Sequence, residues 1–366
     1  MGKITNFINK MDEPPFKKKL LVIKTNHPKN HSPEPKFLVQ FIKLLRRHLM
    51  LYVFFQHKCL NNKISNNQKN ILWIHNTTEN IGDSLMKTSS IRYLKSKGYS
   101  VDLCVPEKFY DLYRNNSYCN DLLKLDSLSN NNKNYDLIML DALSSKCMKI
   151  KMKFYYSKPF VTMYEFFNYF RADYNLIFFS WYRVQHLINQ DEYIDDIAKP
   201  FVGELSHHKI LNLGINNSFV AIVCGGVNEY RTYPFWDSVI SIIDNKEVKK
   251  VPIVLIGSDN GISHASEISH KFNERKDFIN AVGKFTLSET KAIISCCKLI
   301  VGPDGGLIQV ANALDKKVIA LFAQIDSRLR FTEATDYKAL YDDRSVQNIN
   351  PEEIAKEILF AIKVSI

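Results

Sequence analysis

The chain has 366 residues, 45% hydrophobic and 12% aromatic, which supplies a large core and excludes general disorder. Its formal net charge is +11, and residues 1–69 carry all of the excess, with 14 Lys and Arg against 3 Asp and Glu. The rest of the chain balances 35 basic against 35 acidic residues, so a demand for an anionic partner arises only near the N-terminus.

Length predicts two domains. The seven cysteines form no CxxC pair and share no ligand-like spacing with His, so they read as reduced core residues of a cytosolic protein, with no metal site. No continuous apolar run occupies the first 20 residues, and no cleaved signal peptide is expected.

Within the basic extension, 1–69, the stretch KFLVQFIKLLRRHLMLYVFFQHK (36–58) has helical periodicity. Lys36, Gln40, Lys43 and Arg47 form a polar stripe, with Leu38, Phe41, Ile42, Leu45, Leu49 and Tyr52 on the other side. Cations at 43, 46 and 47 interrupt the apolar run and argue against a membrane-spanning helix. Two readings stand: a basic amphipathic helix lying on anionic lipid through Lys36, Lys43, Arg46 and Arg47, or a helix that packs on its own domain.

An Asn/Lys-rich linker (61–70) follows, and then strand and helix alternate. Strands are predicted at 71–75, 100–105 and 136–141, the signature of a parallel α/β sheet. Residues 154–182, rich in aromatics, line an acceptor site or fill a core. A second series begins at 218–226 and continues through 251–259, 281–314 and 316–323. The expected organisation is an N-terminal Rossmann-like domain over 70–205 and a C-terminal one over 206–345. A helix over 346–366 ends the chain, with a return to the N-terminal domain as one option.

Three strand-to-helix bends could carry chemistry. In the first, Gly82-Asp83 opens a helix, where Asp83 is either an N-cap or a functional carboxylate. In the second, a strand ends at Gly225-Gly226, with Arg231 in the loop before Tyr233-Pro234. In the third, Gly302-Pro303-Asp304-Gly305-Gly306 runs into a helix whose exposed N–H groups suit an anion. Neither a Walker A loop nor GxGxxG is present.

Taken in order, these bends resemble glycosyltransferase family 9, the ADP-heptose:lipopolysaccharide heptosyltransferases. The resemblance covers residues 70 to about 335 and is strongest over 218–323. It rests on Gly82-Asp83, on the basic residue ahead of an aromatic-Pro pair in RTYP (231–234), and on the helix start from Asp304 to Gln309. The stretch KKKLLVIKTNHPK (17–29) mimics a first strand but lacks Gly-Asp and is read as a decoy.

The resemblance implies a GT-B fold of two facing Rossmann-like domains, with acceptor on the first and nucleotide sugar on the second. It implies inversion without a divalent metal and with no cofactor, ADP-heptose being a substrate. Asp83 is then the general base, and Arg231 stabilises the leaving diphosphate. Gly225, Gly226, Asp304, Gly305, Gly306, Leu307 and Gln309 hold the donor, Asp304 through sugar hydroxyls, with Gly257 and Asp259 nearer the ribose. The implied acceptor is phosphorylated lipid A-Kdo or core oligosaccharide at the cytoplasmic face of the inner membrane, and no nucleic acid is involved. Arg231, Tyr233, Gly305 and Gln309 depart from the family's usual Lys, Trp, Thr/Ser and His. These departures keep open a same-fold transferase using another nucleotide sugar, such as a UDP-hexose, and a non-catalytic nucleotide-sugar-binding partner protein.

Overall fold

Runs of four consecutive buried apolar residues form strands covered on both faces, and they build two parallel sheets. The computed structural model describes residues 14–16, 37–76, 80–167, 174–205, 219–246 and 251–363. The decoy strand at 17–29 and Lys36 lie outside these residues. Contacts divide the chain into two compact units, one chiefly His31–Glu79 and Met86–Ala198, the other chiefly Asn80–Leu85 and Lys199–Ile366.

The first unit holds β1 (Asn70–Ile74), β2 (Ser100–Val105), β3 (Asp121–Lys124), β4 (Leu137–Leu140) and β5 (Phe160–Thr162), in the order β3-β2-β1-β4-β5. Its helices are α1 (Phe37–Val53), α2 (Ile81–Thr88), α3 (Ile91–Ser96), α4 (Glu107–Tyr113), α5 (Ser145–Phe154) and α6 (Leu176–Leu187), with the start of α2 counted in the second unit. Part of the aromatic-rich segment fills the core: Phe179 on α6 stacks on Tyr164 at 4.8 Å and on Phe167 at 5.5 Å. Residues 61–70, read as a linker, are fastened to this unit. Asn61 N–H donates to Phe160 O, extending the sheet edge beyond β5, and Ile64 N–H donates to Leu187 O at the end of α6, both at 2.8 Å.

Helix α1 packs through Leu44, Met50 and Leu51, the last two sharing a core with Cys147 and Met148 of α5. Arg47 also turns inward, where its Nη1 donates to Phe166 O at 2.9 Å and burial lowers its pKa. The apolar stripe Leu38, Ile42, Leu45, Leu49 and Tyr52 faces outward, each residue 48–64% exposed. Periodicity defined the two faces; the structure buries the side bearing Leu44 and Arg47.

The second unit holds β6 (Val220–Val223), β7 (Ile253–Ile256), β8 (Phe278–Asn280), β9 (Leu299–Pro303), β10 (Lys317–Ala323) and β11 (Tyr337–Asp342). The order β8-β7-β6-β9-β10-β11 is that of a doubly wound dinucleotide-type sheet. Helices α7 (Trp236–Lys246), α8 (Ile262–Lys271), α9 (Leu287–Cys296), α10 (Gly306–Ala313) and α11 (Pro351–Lys363) complete it. The helix expected over 346–366 is α11. It packs on this unit's own core beside α7, through Ile354, Ala355 and Ile358. Trp236 is fully buried there, and truncating a residue of that size costs about 3–5 kcal/mol.

Candidate functional site

In each unit the strand order reverses beside its first strand, between β1 and β4 and between β6 and β9. Beyond the carboxyl ends of those strand pairs lies the place where such sheets hold ligands. Two of the three bends read from sequence, those after β6 and β9, occupy that place in the second unit.

After β6 the chain bends through Gly225, whose φ of +87° favours glycine. A Cβ there would lie 2.8 Å from Asn260 Oδ1, one on Gly226 2.6 Å from Arg231 O, and one on Gly257 2.3 Å from Cys224 O. Crowding between the segments after β6 and β7 explains Gly225 and Gly257, and crowding within the loop after β6 explains Gly226, all without a ligand. Asn260 ties the loops by donating to Gly226 O at 2.8 Å, while its neighbour Asp259 is exposed. Further along, Glu229–Arg231 forms one 3-10 turn. Tyr233 anchors it from below: the ring is fully buried against Trp236, and Oη donates to Ile349 O at 3.0 Å.

After β9, Asp304 is buried, with Oδ2 3.3 Å from Arg330 Nε and 3.5 Å from Arg231 Nη1. One carboxylate thus meets two guanidiniums. Arg231 Nε is itself buried with no hydrogen-bond partner among the described residues. Gln309, buried in the first turn of α10, donates to Arg330 O at 3.3 Å and accepts from Asn312. Leu307 is half-buried beside it. Gly305 is extended and open, since a Cβ there would meet only Pro303 O at 3.6 Å.

Asn80–Leu85 belong with this unit by their contacts. A Cβ on Gly306 would lie 3.0 Å from Ile81 Cβ, and one on Gly82 would lie 3.4 Å from Gln309 Cγ. The turn leading to Asp83 therefore rests on the start of α10. Gly306→Ala is expected to push that turn away at a cost of roughly 1–3 kcal/mol of overpacking, read as a lowered melting point. A wild-type melting point in that variant would show that the fit is unimportant.

The structure thus gathers Asp83, Arg231, Asp304, Gly305, Gly306, Leu307 and Gln309 in one unit. Gly225, Gly226, Gly257 and Asp259 sit at the adjoining loops, whereas Lys43, Arg46 and Arg47 lie on α1 of the other. Sequence reading missed Arg330, which follows a short 3-10 turn at Ser327–Leu329 and belongs to no motif. The signal available was its position in the loop after β10, which opens at the same end of the sheet. Two guanidiniums beside a helix N-terminus can grip a diphosphate, because each fork matches two phosphate oxygens and the helix dipole adds favourable potential.

The first unit keeps a different pair at its own switch point. Asp141, just after β4, accepts from Trp73 Nε1 at 3.1 Å and from Asn76 N–H at 2.8 Å, and lies 3.0 Å from His75 Nδ1. Both His75 and Asp141 are fully buried. Burial opposes the charge on Asp141, but His75 and these hydrogen bonds hold its carboxyl well below the usual range. A depressed carboxylate pKa contributes stability at neutral pH that is lost as pH falls below about 4. Among the described residues no His, Cys, Asp and Glu group could hold a metal ion.

Residues 199–356 match the model of glycosyltransferase family 9 (heptosyltransferase). No curated protein matches the chain by sequence. Among solved structures, a family 9 glycosyl transferase from Veillonella parvula is similar with a TM-score of 0.66 at 11% identity, covering 81% of this chain and 98% of that one. An ADP-heptose lps heptosyltransferase II from E. coli gives 0.61 at 17% identity, covering 81% of this chain and 99% of that one. The E. coli heptosyltransferase WaaC with ADP gives 0.60 at 13%, covering 80% and 99%. At such identities the likeness shows the fold, which is the GT-B fold expected from the sequence.

Proposed function

The chain belongs, through residues 199–356, to glycosyltransferase family 9, and on that premise we propose that it moves heptose from ADP-heptose to an inner-core acceptor of lipopolysaccharide, inverting the anomeric centre. The observation that carries this reading is the pair Arg231 and Arg330 converging on Asp304 at the start of α10. In the proposed step the acceptor hydroxyl oxygen bonds to the anomeric carbon as the bond from that carbon to the β-phosphate oxygen breaks. The electron pair stays on the phosphate oxygen, facing Arg231, Arg330 and the N–H groups at 305–307. The hydroxyl proton passes to Asp83. An ordinary carboxylate is a weak base for an alcohol, yet the hydroxyl acidifies as its oxygen bonds to an oxocarbenium-like carbon, so late proton transfer suffices. In the ground state Asp304 fixes the guanidiniums, which therefore reach the developing charge without reorganisation.

The acceptor is phosphorylated lipid A-Kdo or core oligosaccharide, and the place of work is the cytoplasmic face of the inner membrane. Among the described residues no helix is long and apolar enough to cross a membrane.

Thermal-shift titration tests the donor. ADP at about 100 times its Kd should add about 2.7 kcal/mol and raise the melting point by several degrees, while UDP at the same concentration should not. A shift with UDP alone would replace ADP-heptose by another nucleotide sugar. Binding of ADP-heptose without turnover on authentic acceptor would leave a binding protein instead of an enzyme.

A further inference from the structure

We infer that the outward face of α1, with the outward lysines of α5, is a docking surface for an anionic lipid bilayer. Leu38, Ile42, Leu45, Leu49 and Tyr52 recur at steps of four, three, four and three, which places them on one stripe of the helix. All five are exposed, and Val53, Phe54 and Phe55 continue the exposed apolar surface past the helix end. The opposite side of α1 is already spent on the core through Leu44 and Leu51, so the helix cannot roll over to hide the stripe. A contiguous exposed apolar surface of this kind marks an interaction site.

Charge selects the partner. Residues 36–70 contain no Asp or Glu, and α5, which packs beside α1, contains none either. Lys146, Lys149 and Lys153 on α5 point away from the core that Cys147 and Met148 enter, and Arg46 and Lys58 are exposed on and just after α1. A second copy of the chain would bring the same positive charge to the same stripe and be repelled. Nucleic acid would neutralise the lysines and leave the leucines in water. Only a bilayer with anionic headgroups offers both an apolar interior for the stripe and negative charge for its flanks. The surface belongs to the first unit and the donor chemistry to the second, so either proposal can fail alone.

Sedimentation of the full chain with vesicles tests it, with the melting point as a measure of intact fold. Wild type should bind phosphatidylcholine vesicles containing phosphatidylglycerol and leave pure phosphatidylcholine vesicles largely unbound. Lys146→Gln/Lys149→Gln/Lys153→Gln should weaken binding on the order of 100-fold, since each surface cation contributes roughly fivefold. Ile42→Asp/Leu45→Asp/Leu49→Asp should lose binding at least as much, with the wild-type melting point retained in both variants. Equal binding by wild type and either variant overturns the surface, as does equal binding to neutral vesicles. A dimer in solution that the Asp variant dissolves would assign the stripe to a second copy and overturn the lipid.

Discussion

Asp83→Asn is expected to slow transfer at least 100-fold while ADP affinity stays within about twofold, the low end of what a positioned base contributes. The variant is informative because Asn keeps the size and shape of Asp but cannot take up the acceptor proton. A stability role predicts otherwise, and the position allows the two to be separated. Helix α2 starts at Ile81, so Asp83 is its third residue and not its N-cap, and Ser84 N–H already donates to Asn80 O at 3.0 Å. What remains for the carboxylate structurally is its favourable place near the positive end of the helix dipole, worth about 0.3–1 kcal/mol at an exposed site. A melting point lowered by a degree or two therefore cannot account for a hundredfold loss. Turnover near wild type would remove Asp83 as the base, whatever the donor proves to be.

The parts of the fold legible in the sequence were those whose physics is local. β4, β6 and β7 are entirely buried, so each shows as an uninterrupted apolar run. β3 and β8 are only half-buried throughout, and their mixed composition carries no period that would separate them from loops. The bends after β6 and β9 were legible because glycine at a strand's end demands an explanation, but the explanation differs between them. Gly225, Gly226 and Gly257 answer to neighbouring backbone, while Gly305 leaves open surface and Gly306 admits Ile81. Asp304 read as a sugar-binding carboxylate in the sequence, and the structure finds it engaged by two arginines, one of them from a loop 26 residues on. Such a pairing arises only when β9 and β10 lie side by side, which no local pattern encodes. Helix α1 shows the same limit from another side. Its apolar stripe was plain, but which stripe faces the core was decided by partners such as Phe166 and Met148, more than 95 residues away in the chain.

Removing the guanidiniums should be the other severe lesion. Arg330→Met and Arg231→Met are each expected to lower kcat/KM by about 100- to 1,000-fold, the usual consequence of losing one donor aimed at developing charge. Because negative charge grows on the leaving phosphate oxygen, most of the loss should fall on kcat, with a smaller rise in KM for the donor. Lysine at either position retains the charge but not the two-pronged fork, so Arg330→Lys should recover only part of the activity. The double variant should lose less than the product of the single losses. Both arginines share the Asp304 carboxylate, and taking one away frees that carboxylate to hold the other more tightly and to repel the diphosphate. ADP affinity supplies the second readout, since a merely structural pair would alter the melting point and leave nucleotide binding unchanged. If Arg330→Met keeps wild-type kcat/KM and wild-type affinity for ADP, the cluster around Asp304 is scaffolding and the diphosphate is held elsewhere.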